Sequence, residues 1–291
     1  MTTRDHIRNP MEWSADQLAA ANVAVARAGQ GLRPAEAARH QAPPAVRRIE
    51  VADLRDALAR GVSDFAAGRT DIAFICLIYP IAGLVLARSA FGYGLLPLVF
   101  PLVAGFALLG PVAAVGLYEM SRRREQGLPV SWSDAFGVLS SPALGGVVAL
   151  GLVLLAIFLL WLEAAQLIYD GTLGPEPPAS IGSFLHDVLT TGAGWAMIIA
   201  GIGVGFLLAV LVLAISVVSF PLLLDRHVGV AAAIGTSIRA VATNPRTMAI
   251  WGLIVAGGLV LGSIPALLGL IVVMPVLGHA TWHLYRKVVP S

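Results

Sequence analysis

The chain has 291 residues, of which 57% are hydrophobic and only 12% charged, and its mean hydropathy is +0.83. A soluble domain carries about 25% charged residues, so this composition excludes an ordinary water-soluble fold. The formal net charge is only +2 and the basic residues adjoin apolar stretches, which excludes a nucleic-acid binder and favours anionic lipid headgroups as partners.

In chain order, residues 1–45 are rich in Ala and Arg, lack sustained apolar periodicity and close on Pro43-Pro44. They are expected to form a disordered tail. They hold no continuous apolar core of the signal-peptide kind, so the first span is expected to act as the insertion signal. Residues 46–71 follow, with Leu54, Leu58, Val62 and Phe65 at helical spacing and Arg55, Asp56 and Arg60 elsewhere on the wheel. This pattern predicts an amphipathic surface helix, lying either on the membrane or on the protein's own loops.

Residues 72–288 form the membrane domain. Six apolar stretches approach the roughly 20 residues that cross a core about 30 Å thick: 72–91, 95–120, 144–169, 195–224, 247–262 and 266–284. The last pair is the shortest, with Pro265 between them, and reads either as two spans or as a re-entrant hairpin. Cys76, the single cysteine, falls in the first stretch, so no intrachain disulfide forms. This topology places 18 of the 19 basic residues on one side, Arg88 being the exception. The bias puts both termini in the cytoplasm of a bacterial inner membrane. The loop 170–194 carries Asp170, Glu176 and Asp187 and no Lys or Arg.

A plan recurs along the chain. The second span ends in Glu119, followed by Arg122, Arg123 and Arg124, then Trp132, Ala135, Phe136 and Leu139 at amphipathic spacing, then Pro142. The fourth ends in Asp225, followed by Arg226, then Val230, Ile234, Ile238 and Val241, then Pro245. A helix–surface helix–helix unit used twice fits this pattern better than an inverted transporter repeat.

The polar residues within this plan limit the chemistry. Glu163 and Gln166 share a face of the third span, where a carboxylate inside the hydrocarbon costs about 2.5 kcal/mol or more. They mark a candidate polar site, although Glu163 also lies within about two turns of the outer surface. His279 and His283, four apart, share a face of the sixth helix. Two imidazoles at this spacing suit a metal or haem, but the near sequence offers no third ligand, and His227 is distant in the chain. No metal or cofactor is therefore expected. Glu119, Arg122, Arg123, Arg124, Asp225 and Arg226 are expected to pair locally at the inner face, and Arg239 to reach lipid phosphate. There is no P-loop, no His-Glu-x-x-His, no cysteine pair and no Gly-x-Ser-x-Gly, so no enzymatic activity is expected.

Four runs carry a resemblance: Leu77-Ile78-Tyr79-Pro80, Gly116-Leu117-Tyr118-Glu119 with Arg122 to Gly127, Phe220-Pro221-Leu222-Leu223-Leu224-Asp225, and Gly278 to Lys287. Together they make residues 46–288 similar to a family of predicted integral membrane proteins, found chiefly in alphaproteobacteria and classed as a domain of unknown function. The resemblance implies membrane location and fold, and carries no activity. The expected architecture is an all-α polytopic membrane helix bundle with about six transmembrane helices and amphipathic cytoplasmic surface helices. The expected role is non-enzymatic, an accessory or scaffold protein binding lipid, other membrane proteins or further copies of itself. The alternative is a small transporter or channel with Glu163 and His279 in a polar path.

Overall fold

Residues 46–50 form an extended strap that leads into the first helix. The computed structural model describes residues 44–68, 77, 80–85, 88, 96–226 and 228–290. Nearly all of the expected tail 1–45, most of the expected span 72–91, and His227 lie outside the described residues. Every regular element described is helical.

Helix α1 (Val51–Ala67) starts at Glu50, where the Asp53 carboxylate accepts from the Glu50 N–H at 2.9 Å in a capping box. It buries Leu54, Ala57, Gly61 and Asp64, spaced as one helical stripe. A long run then combines α2 (Val99–Phe106), α3 (Gly110–Ala113) and α4 (Val115–Glu125), joined through a 3-10 turn at Ala107–Leu109. Pro101 and Pro111 in this run lack the N–H that a regular helix needs. The Trp161 indole donates to the Pro101 carbonyl at 2.8 Å, which seats the run on α5 (Leu144–Thr172).

Between α4 and α5 the expected surface helix is a 3-10 helix, Trp132–Ser140. It turns Val138 and Ala135 into the core and leaves Phe136 and Leu139 exposed, so the expected stripe is split between two sides. Residues 170–194 contain more than a loop: α6 (Ile181–Thr190) starts at Ser180, whose hydroxyl accepts from the Ser183 N–H. Helix α7 (Gly192–Ser216) continues after a break into α8 (Ser219–Asp225). At the break the Val218 N–H donates to Ser237 Oγ at 3.2 Å, and Pro221 removes a donor from the next turn.

Helix α9 (Val230–Thr243) is the second surface helix. It buries Ala233, Thr236, Ser237 and Ala240, whereas the expected apolar stripe is half-buried at Val230, Ile234 and Val241 and exposed at Ile238. The small side chains permit close approach, and Ser237 is required at the α7–α8 break. Helices α10 (Pro245–Ser263) and α11 (Leu270–Val288) form a hairpin with a tight turn in which Ala266 and Leu267 have φ of 49° and 67°.

Among the described residues, four helical runs are long and apolar enough to cross a membrane: Leu96–Glu125, Leu144–Thr172, Gly192–Asp225 and Pro245–Ser263. They match the second to fifth expected spans within a few residues at most ends; the second extends five residues further, to Glu125. Large aliphatic side chains on them are bare, with Ile199 at 69%, Leu253 at 72% and Leu261 at 67% exposure, as expected of surfaces that meet lipid. Helix α11 falls outside this set, because its last turns carry His279, His283, Arg286 and Lys287.

The core sits at the end of the bundle where α4, α8 and α11 converge, hereafter the basic end. Trp251, Trp282, Tyr285, Phe220 and Leu222 are all fully buried there. Helix α1 packs antiparallel to α11, with Asp53 and Asp56 against Lys287 and Gly61 against Ala280. A Cβ on Gly61 would lie 2.7 Å from both Ala280 N and Val276 O, so only glycine allows this approach. The helix therefore rests on the protein's last described helix, where the sequence left open a membrane surface or the protein's own loops.

Candidate functional site

The most concentrated chemistry lies under α1. The buried stripe of an amphipathic helix ordinarily ends in an apolar residue, but here its fourth member is Asp64, 8% exposed. A buried carboxylate is costly unless its oxygens are satisfied. Ser121 Oγ of α4 donates to Asp64 Oδ2 at 2.6 Å, and His283 Nε2 of α11 meets the same oxygen at 2.8 Å. Arg124 Nε lies 3.2 Å from Oδ1. Burial raises the carboxyl's pKa, but the bonds from His283 and Ser121 outweigh it, and Asp64 is held below its ordinary 3.8.

This arrangement fixes the state of His279. Its Nδ1 lies 2.7 Å from Ser121 Oγ. Ser121 has one proton, and the ionised Asp64 accepts it, so Nδ1 must be the donor to Ser121. The Nε2 has no hydrogen-bond partner within ordinary geometry among the described residues, in a side chain that is 1% exposed. A cavity of about 240 Å³ adjoins the cluster, lined by Asp64, Ser121, Arg124, Ser131, Met120 and His279 among others.

A second set of bonds closes the same layer. Arg122 grips Glu119 with both Nε and Nη2, at 2.8 and 2.9 Å, and Arg123 pairs with Asp134 at 3.2 Å. Asp225 accepts from the Tyr285 hydroxyl at 2.5 Å and pairs with Arg286 at 3.4 Å and Arg226 at 3.7 Å. Glu125 accepts from the Trp282 indole at 2.9 Å and from Arg286 at 3.0 Å. The 46–50 strap is tied down by Asn244, whose side chain accepts from Ile49 N–H and donates to the Arg47 carbonyl. Arg239 bonds Thr236 at 3.0 Å and stays exposed.

The expected polar site separates into two places. Counting about 1.5 Å per residue from Leu144 puts Glu163 roughly 28 Å along α5, at the far edge of a core about 30 Å thick. It is exposed and has no hydrogen bond or ion pair among the described residues. Gln166 bonds Asp170 at 2.8 Å instead of Glu163. His279 and His283 lie at the basic end, so nothing joins them to Glu163. Their rings meet Ser121 and Asp64, and among the described residues no three His, Cys, Asp or Glu side chains gather as a metal set. Sequence reasoning missed Asp64 and Ser121. The available signal was Asp64 continuing the i, i+3, i+4 spacing of Leu54, Ala57 and Gly61, a stripe shifted from the expected Leu58, Val62 and Phe65, of which Val62 is exposed.

Taken together, these features define an all-α integral membrane protein whose polar groups are concentrated in one bonded layer at one end. Residues 99–225 match the model of a family described as "Predicted integral membrane protein (DUF2189)". The match is narrower than the sequence resemblance, leaving Leu77–Pro80 and Gly278–Lys287 outside it. No curated protein and no solved structure matches the chain.

Proposed function

We propose that this is a non-enzymatic accessory or scaffold protein of a bacterial cytoplasmic membrane, with its basic end in the cytoplasm, binding other membrane proteins and anionic lipid. The observation that supports this most is the distribution of polarity. The acidic groups at the basic end are bonded to partners in the same chain, while the outward faces of the spans are bare aliphatic surface. Arg48 in the strap and Arg246 on α10 line one shallow hollow, are exposed and have no ion pair among the described residues, which suits anionic headgroups. A transport path would need polar groups linked across the bundle. Glu163 and His279, which such a path would use, lie at opposite ends.

The test is a gentle-detergent pull-down of the C-terminally tagged chain from its native membrane, with mass spectrometry of what co-purifies. A stoichiometric partner is the expected result. Recovery of the chain alone overturns the accessory role and moves the work to flux assays comparing the wild type with Glu163→Gln.

A further inference from the structure

Helix α6 partitions its circumference three ways. At 100° per residue, Phe184, Val188, Ile181, Leu185 and Leu189 fall within an arc of about 140°, wider than the stripe a core-facing helix needs. One edge of that arc docks on the protein: the Phe184 ring meets Tyr169 edge-on at 6.3 Å, and Val188 is half-buried. The Trp195 indole of α7 donates to the Leu189 carbonyl at 3.1 Å, and a Cβ on Gly194 would lie 2.3 Å from the Val188 carbonyl oxygen, so α6 and α7 are held close. The other edge is bare, with Ile181 at 52%, Leu185 at 50% and Leu189 at 58% exposure. His186, Asp187 and Thr190 occupy the opposite, polar side and are exposed.

We propose that α6 is an interfacial helix, seated in the leaflet at the end of the bundle opposite α1 with Ile181, Leu185 and Leu189 among the acyl chains. Two observations select lipid as the occupant. The bare edge ends at Leu189, whose carbonyl receives the Trp195 indole, and Trp195, Ile199 and Ile202 are themselves exposed on α7, a membrane-crossing helix. The polar side carries no Lys or Arg anywhere in residues 170–194, so the helix is held by partitioning of its aliphatic side chains and not by attraction to anionic headgroups.

The experiment uses the full chain carrying Cys76→Ala, with a nitroxide placed singly at 181, 185 or 187 and the protein reconstituted in phosphatidylcholine vesicles. Collision with oxygen, which concentrates in lipid, is compared with collision with a water-soluble nickel chelate. The expected oxygen-to-nickel ratio is several-fold higher at 181 and 185 than at 187, and unchanged when phosphatidylglycerol is added. Equal nickel access at 185 and 187 overturns the proposal, since the edge then faces water. Shielding of 185 from both reagents also overturns it, in favour of a protein partner or a second copy. A ratio that rises only with phosphatidylglycerol overturns the partitioning argument. All three labels sit on exposed positions, so none disturbs the packing of α6 on α5 and α7.

Discussion

Replacing Asp64 with Ala should undock α1 without unfolding the spans. The carboxylate accepts from Ser121 at 2.6 Å and His283 at 2.8 Å, and hydrogen bonds to charged groups contribute about 1.5–3 kcal/mol each. Arg124 is 42% exposed, so its pair adds little and it regains water when the pair is lost. Two such bonds come to about 3–6 kcal/mol, and the donors at Ser121 and His283 are left in a buried layer, so the loss is at least about 3 kcal/mol, within the range for breaking a buried pair. That corresponds to roughly 150-fold or more in the docking equilibrium. Hydrogen exchange of residues 51–67 in lipid nanodiscs reads this directly, because opening free energy sets the exchange rate of protected amides. Asp64→Asn keeps an acceptor for Ser121 and loses the charge, so its exchange should quicken by only about tenfold. If Asp64→Ala changes exchange by less than about tenfold, or the two variants behave alike, the carboxylate does not hold α1 as described.

Three further outcomes follow from the same packing. Gly61→Ala places a Cβ 2.7 Å from backbone atoms of α11 and should weaken α1 docking by about 1–3 kcal/mol; Gly201→Ala, which meets nothing within 4 Å, should be neutral or stabilising in the same exchange assay. Asp64 titrates below 3.8 in the folded protein, so its contribution is present above pH 3.8 and is lost as the pH falls through the lower folded value. Lys287 is raised above 10.5 by Asp56 and Asp53, so its contribution is present below pH 10.5 and is lost as the pH rises through the folded value. Protease sensitivity of α1 against pH should therefore keep only part of its acid limb in Asp64→Asn, the remainder coming from Asp53 and Asp56, which are also lowered and pair with Lys287, and should lose its alkaline limb in Lys287→Met. Glu163→Gln, at an exposed position without a described partner, should shift thermal stability in detergent by no more than about 0.5 kcal/mol.

Much of the membrane architecture is legible in the sequence because apolar length and the placement of arginines are local properties. Spans two to five were found on that ground alone. Helix α6 was not, although Ile181, Phe184, Leu185, Val188 and Leu189 carry the period, because ten residues are too few to stand out between two long spans. The partners of Asp64 were illegible for a different reason. Ser121 is 57 residues away and His283 is 219, and nothing local to either shows that the same carboxylate receives both. Trp282 and Tyr285, beside His283, are likewise buried and bonded to Glu125 and Asp225, partners 157 and 60 residues away in the chain. The stripe of α9 was misjudged because the need for Ser237 arises at Val218, in a different helix.

The clasp between α1 and α11 also sets an order of events during synthesis. Asp64 is made 219 residues before His283, and at about 5–20 residues per second that interval is roughly 10–45 s. Throughout it, α1 has no α11 to receive its Leu54–Ala57–Gly61 stripe, and its carboxylate lacks one of its donors. The nascent chain must shelter that helix, either on the bilayer surface or with a chaperone. A chain stopped short of α11 keeps α1 loose and open to proteolysis, so the state of this one helix reports whether the whole bundle has been completed.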